Sequence, residues 1–247
     1  MRILISPAKK MISDPDSMEI LGLPVFLEQT REILRYLQGL SYESCRKLWG
    51  CNDRIARENY ERIAGMNLER GLTPAILAYE GIAYRYMAPS VFANGEFAYV
   101  QEHLRILSGF YGVLKPMDGV AMYRLEMQAK ASVAGTKDLY EYWGERLYRE
   151  VRGEQCIVNL ASREYSRCVE KYLTPEDRYL TCVFGELIGE KVVQKGVYAK
   201  MARGEMVRFL AERGAQEPEE MREFNRLGYC FDEKRSDAET YVFLREK

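Results

Sequence analysis

Runs of apolar residues alternate along the chain with stretches of helical periodicity. Arg2-Ile3-Leu4-Ile5-Ser6 is a short apolar run halted by Pro7, which predicts a buried strand with Ala8, Lys9 and Lys10 in the loop at its end. The spacing of Phe26, Ile33 and Leu37 predicts a helix over 25–38. Ile55 and Ile63 predict another over 52–66, with Asn52 as its N-cap. Residues 75–87 hold two apolar runs around Glu80-Gly81 and read as a strand, a turn and a further element. Phe97, Val100, Leu104 and Leu107 recur at helical intervals, so 96–107 reads as a helix ended by Gly109.

The second half follows the same logic. Tyr140, Trp143, Leu147 and Val151 mark one face of a helix over 138–151, with Asp138 near its N-terminus. Residues 155–160 (QCIVNL) form a buried strand that delivers Asn159, Ser162 and Arg163 to its end, ahead of a helix through Tyr172. Residues 178–194 read as two strands around 185–189, and 198–213 as a helix on which Lys200 and Arg203 are paired at i, i+3. Residues 224–232 and 240–244 finish the chain as paired strands. With no repeat or proline-rich linker, the expected architecture is α/β mixed (α+β), one compact domain over 1–247.

At 247 residues and 47% hydrophobic, the chain is long enough to bury a sizeable core. No apolar run approaches the ~20 residues needed to span a bilayer, so the expected compartment is the cytoplasm and no membrane partner is expected. The six cysteines include no Cys-x-x-Cys and suit reduced, mostly buried thiols. The single histidine, His103, excludes a zinc site of several histidines and would be the only base open to a serine or cysteine triad. Its place in the predicted helix reads as a solvated position. No Walker A loop or dinucleotide fingerprint is present. No metal or cofactor is expected, and nothing in the sequence points to a protein partner.

A net charge of −1 means that any nucleic-acid surface must be a local cleft. Charge is indeed segregated: 195–213 carries five cations against two acids, and 214–225 carries four glutamates against Arg222. Between His103 and Lys130, four cations (Arg105, Lys115, Arg124 and Lys130) oppose Asp118 and Glu126. Gly109 and Gly112 flank a turn there whose backbone N–H groups suit a phosphate, inviting comparison with a helix-hairpin-helix. The alternative is a helix C-cap and a turn joining helix to strand. Tyr111, Tyr123, Tyr140 and Trp143 are either stacking platforms for unpaired bases or core residues.

Taken together, ISPAK at 5–9, LRILSGFYGVLKPMD at 104–118, YRLEM at 123–127, VNLAS at 158–162, AKMARGEMVRF at 199–209 and FNRLGYCFDE at 224–233 resemble the YaaA peroxide-stress family. The resemblance implies a bacterial cytoplasmic protein that protects against hydrogen peroxide, with less oxidative DNA damage and lower free intracellular iron. It also implies binding to duplex and branched DNA, without sequence specificity, through a positive cleft containing a helix-hairpin-helix, on a mixed α/β fold particular to the family. The motif positions carried over as DNA-binding are Lys9, Arg105, Gly109, Gly112, Lys115, Arg124, Lys200 and Arg203. Met201 stands where a second lysine of the run is expected. The alternative is an enzyme acting on a nucleobase, nucleoside or nucleotide, drawing on Ser6, Lys9, Arg124, Glu126, Asn159 and Ser162. Direct iron sequestration is the weakest reading, with one histidine and no ligand cluster at metal spacing.

Overall fold

A computed structural model describes residues 1–153 and 155–246. Its centre is an eight-stranded sheet: β1 (Arg2–Ile5), β2 (Leu104–Ser108), β3 (Gly112–Leu114), β4 (Ile157–Asn159), β5 (Tyr179–Ile188), β6 (Lys191–Val193), β7 (Tyr229–Phe231) and β8 (Thr240–Arg245). The strand order is β7-β8-β5-β4-β1-β2-β3, with β6 folded back on β5. The five central strands, from β8 to β2, run parallel, and β7, β6 and β3 are antiparallel additions. In the middle, Ile3 faces Val158 on one side and Leu104 on the other. This buries β1 on both edges and both faces, as its unbroken apolar sequence requires.

The helices are α1 (Leu27–Gln38), α2 (Tyr42–Trp49), α3 (Asp53–Ala64), α4 (Ala75–Ala78), α5 (Ile82–Met87), α6 (Asn94–His103), α7 (Leu139–Trp143), α8 (Arg146–Val151), α9 (Arg163–Glu170) and α10 (Gly196–Arg213). Two short strand pairs, Lys10–Met11 with Tyr79–Glu80 and Thr73–Pro74 with Gly119–Val120, clasp the loops beyond the sheet. The Asn52 side chain caps α3 as expected, accepting from the Ile55 N–H at 3.0 Å. A Cβ on Gly204 of α10 would lie 1.9 Å from the Ala83 carbonyl oxygen, so only glycine lets α10 cross α5 this closely.

Four predicted elements are corrected. Leu104 to Leu107 belong to β2, not to the preceding helix, which ends at His103. All five β2 residues are buried, so the period-two signal is missing and the apolar spacing imitates a helix. The helix read over 138–151 is two helices, broken at Gly144, whose backbone (φ 52°, ψ −138°) suits glycine. Residues 75–87 are α4, a two-residue strand and α5. Within 224–232 only Tyr229–Phe231 is strand. His103 is buried, not solvated: its Nδ1 lies 2.8 Å from the Met1 carbonyl and its ring packs on Tyr99.

Candidate functional site

A cleft opens beyond the C-terminal ends of β1 and β4, the edge where open α/β sheets place their ligands. It encloses about 360 Å³ and is walled by the loop after β1 (Ile5 to Lys10), the start of α5, Tyr123 to Glu126, the turn into α9 and two side chains of α10, Lys200 and Arg203. Pro7 and the ends of two apolar strands thus place Lys9 and Ser162 at one rim. The i, i+3 spacing on α10 turns Lys200 and Arg203 together toward it, as the sequence predicted. Four of the carried-over residues, Lys9, Arg124, Lys200 and Arg203, therefore line one cleft. Met201 is not among its lining residues.

The YRLEM segment is held by Gly109. A Cβ there would sit 2.8 Å from the Leu125 carbonyl oxygen and 3.0 Å from the backbone of Glu126 and Met127, so glycine is required for that segment to cross the β2–β3 turn. Glu126 then reaches Lys9 at 2.8 Å and Arg124 at 3.7 Å. On the opposite wall Glu80 pairs with Lys10 at 2.6 Å and with Arg85 at 3.3 Å. Glu164 accepts from the Gln128 N–H at 3.3 Å, and burial pushes its carboxyl pKa up.

Below the cleft runs a buried hydroxyl chain: Tyr79 to Tyr123 at 2.8 Å, and Tyr123 to Ser108 at 2.7 Å. Desolvation pushes the Tyr123 phenol to about 12 and Tyr79 and Tyr84 well above their ordinary value, so these phenols stay neutral. Ser6 Oγ donates to Ser162 Oγ at 3.1 Å and accepts the Ser162 N–H at 2.8 Å, which ties the two strand ends together. Asn159 is buried, its Oδ1 accepting the Ala161 N–H at 2.9 Å, and shapes the loop from beneath. His103, held at Met1, is not among the lining residues, so neither serine has an imidazole base.

A second basin, about 740 Å³, shares Lys9, Arg124 and Glu126 with the first and continues to Lys47, Trp49 and Gly50 at the end of α2, and to Lys130. There α2 and α3 are joined through Gly50, Cys51 and Asn52, with Gly50 in the left-handed region at φ 53°. Of this pair, α2 and Gly50 line the basin with the cations; α1, joined to α2 by residues 39–41, borders it through Tyr36. Lys47 and Trp49 carried no signal in the sequence pattern beyond the turn residues Gly50 and Asn52.

The glycine segment does not supply that element. Residues 104–114 form the β2–β3 hairpin, and its turn is buried: Phe110 and Tyr111 are at most 1% exposed, and their N–H groups donate to Ser108 Oγ at 3.2 and 2.9 Å. Those amides are occupied within the fold. Gly112 (φ 75°) faces Phe26, Trp143 and Leu147 and serves packing. Arg105 is buried, its guanidinium turned onto the carbonyls of Gln101, Glu102 and Leu104 at the end of α6, and desolvation lowers its pKa to about 10. Lys115 is exposed and shares a separate pocket with Arg105 and Asp118. Tyr111, Tyr123 and Trp143 are core residues, and Tyr140 is half-buried under Arg167, whose guanidinium carbon lies 4.1 Å from its ring centre.

A largely parallel sheet with a cation-lined cleft at its C-terminal edge defines a mixed α/β protein. The family follows from comparison along the whole length. The chain belongs to the peroxide stress protein YaaA family, whose model matches residues 1–235. It is similar to the UPF0246 protein of Agathobacter rectalis, 56% identical over 247 residues covering all of this chain and 99% of the relative. It is also similar to the UPF0246 protein of Lachnoclostridium phytofermentans, 55% identical over 99% of this chain and 96% of the relative. A third UPF0246 protein, from Pediococcus pentosaceus, is 47% identical over the full chain and 99% of its own length. Among the described residues no helix is long and apolar enough to cross a membrane.

Proposed function

We propose that this protein serves the peroxide stress response in the cytoplasm by binding DNA, duplex and branched, without sequence specificity. Limited oxidative DNA damage and lower free iron are the outcomes that the resemblance implies. The observation that carries this reading is the convergence of Lys9, Arg124, Lys200 and Arg203, from three segments distant in sequence, on a cleft continuous with the Lys47 and Lys130 basin beside α2. Phosphates along a strand would displace counterions from these ammonium and guanidinium groups, giving binding that is steep in salt and indifferent to sequence. The part that the resemblance gives to a helix-hairpin-helix would fall to α2 with its flanking turns, where Leu40, Lys47 and Gly50 line the basin. We leave Arg105, Lys115, Gly109 and Gly112 out of this surface: Arg105 is folded onto backbone carbonyls, the glycine turn is packed in the core, and the exposed Lys115 lines a separate pocket.

The test is affinity for fluorescent duplex, bubble and four-way-junction DNA across a salt series. Lys9→Ala/Lys200→Ala is expected to weaken binding to all three and to flatten the logarithmic salt slope by up to about 2, at about 0.9 for each phosphate no longer neutralised. Binding unchanged in that variant would remove the cleft from the account. A second reading, an enzyme acting on a nucleobase, nucleoside or nucleotide, draws on the Lys9–Glu126 pair beside Glu164. Under it, turnover disappears in Lys9→Ala while binding survives.

A further inference from the structure

Within the cleft, the carboxylates are accounted for and two cations, Arg203 and Lys200, are not. Glu126 is held by Lys9 and Arg124, Glu80 by Lys10 and Arg85, and Glu164 by the Gln128 N–H. Arg203 forms no ion pair or hydrogen bond among the described residues, and its Nε is fully buried without a partner. Arg124 Nε is likewise buried and unpartnered. A desolvated guanidinium is costly unless an anion meets it, and burial lowers the Arg203 pKa accordingly. Lys200, one helical turn before Arg203 and exposed, has no carboxylate partner among the described residues either. Three cations lining one cavity thus have hydrogen-bonding capacity to spare, and guanidinium forks match the several oxygens of a phosphate.

The rest of the cavity is of another character. Its lining includes Ile82 and the largely buried Leu125, Tyr84, Tyr123 and Tyr165, whose exposed edges give the cavity an apolar floor against which a base could rest. A volume of about 360 Å³ lies at the lower end of the ~300–1,000 Å³ typical of small-ligand sites, so a duplex would lie across the mouth and only a single nucleotide could enter.

We propose that the cleft is a pocket for a single nucleotide, with Arg203, Arg124 and Lys200 holding the phosphate and the tyrosine-lined wall receiving the base. This deepens the DNA-binding reading and rests on it for the identity of the ligand. The nucleotide has two sources, a free nucleoside monophosphate or a nucleotide extruded from DNA, for which unstacking costs a few kcal/mol and is cheapest at a mismatch or bubble.

The experiment titrates the wild type, Arg203→Met, Lys200→Ala and Lys47→Ala/Lys130→Ala with the four deoxynucleoside and four ribonucleoside 5′-monophosphates, thymidine, inorganic phosphate, and duplexes carrying 2-aminopurine in a mismatch. Calorimetry reads the free ligands; 2-aminopurine fluorescence reads extrusion. Saturable monophosphate binding, at least tenfold tighter than that of thymidine, identifies a free nucleotide as ligand. A rise in 2-aminopurine fluorescence identifies an extruded one. In either case Arg203→Met is expected to abolish the signal while melting no lower than the wild type, because it removes an unpaired buried charge, and Lys200→Ala is expected to weaken it at least threefold. The Lys47/Lys130 variant tests the outer DNA surface alone. Loss of duplex affinity there, with no nucleotide signal anywhere, overturns the pocket and leaves the DNA reading standing. Nucleotide binding that Arg203→Met leaves unchanged also overturns it.

Discussion

Asp118 gives the sharpest quantitative test of the separation between the Arg105–Lys115 pocket and the cleft. It is 7% exposed, and its Oδ2 accepts the Lys115 N–H at 2.8 Å. Desolvation raises its pKa to about 6 from the ordinary 3.8, only partly offset by that N–H and by the charges of Lys115 and Arg105. A raised carboxyl pKa is a cost to the fold at high pH. Below about pH 3.8 both states are protonated and nothing is lost. Between about 4 and 6 the unfolded chain ionises first, so stability falls, and above about 6 the loss is complete. Two pKa units at 1.36 kcal/mol each put the full loss near 3 kcal/mol, of which about 2 kcal/mol falls between pH 4.5 and 7. Asp118→Asn cannot ionise but keeps an acceptor for the Lys115 N–H. Urea denaturation of both proteins from pH 4.5 to 7.5 is therefore expected to show the variant gaining about 2 kcal/mol on the wild type across that range. Parallel stability curves would refute a desolvated carboxylate at this position. DNA affinity is expected to be unaffected, since Asp118 does not line the cleft.

Other substitutions probe the scaffold and charge of the cleft itself. Gly109→Ala drives a Cβ into the backbone of residues 125–127 and is expected to cost about 2–3 kcal/mol, lowering Tm by roughly 5–10 °C, with weaker DNA binding as Arg124 is displaced. Ser108→Ala strips a shared partner from the Phe110 and Tyr111 N–H groups and the Tyr123 hydroxyl, and chemical denaturation is expected to read a loss of about 3 kcal/mol. Glu126→Gln releases Lys9 and Arg124 from their carboxylate, so DNA affinity at low salt rises and the salt slope steepens by up to about 1.

What the sequence made legible was local. Arg2–Ile5 and Ile157–Asn159 announce themselves as apolar runs with punctuated ends, so Lys9 and Ser162 could be placed at strand termini. Lys200 and Arg203 share a face because three residues separate them on a helix. What escaped was set by partners far along the chain. Leu104–Ser108 lies between β1 and β3 with both faces covered, which erases the alternation that distinguishes strand from helix. Arg105 carries the same charge as Arg124 in the sequence, yet one folds back on the carbonyls ending α6 and the other lines the cleft. Gly109 reads locally as a turn residue, but what demands glycine there is the crossing backbone of residues 125–127, a tertiary fact. The Lys9–Glu126 pair and the basin joining Lys47 to Lys130 are of the same kind.

The placement of the DNA surface is tested most directly by lysine reactivity. The protein is treated with a trace acylating reagent, with and without a saturating four-way junction at low salt, and the modification of each lysine is read by mass spectrometry. Lys9, Lys47, Lys130 and Lys200 are expected to be protected by DNA, while Lys115, exposed beside the Arg105 pocket, remains as reactive as in the free protein. Protection of Lys115 with the four cleft and basin lysines still reactive would contradict the account and return the glycine hairpin to the interface.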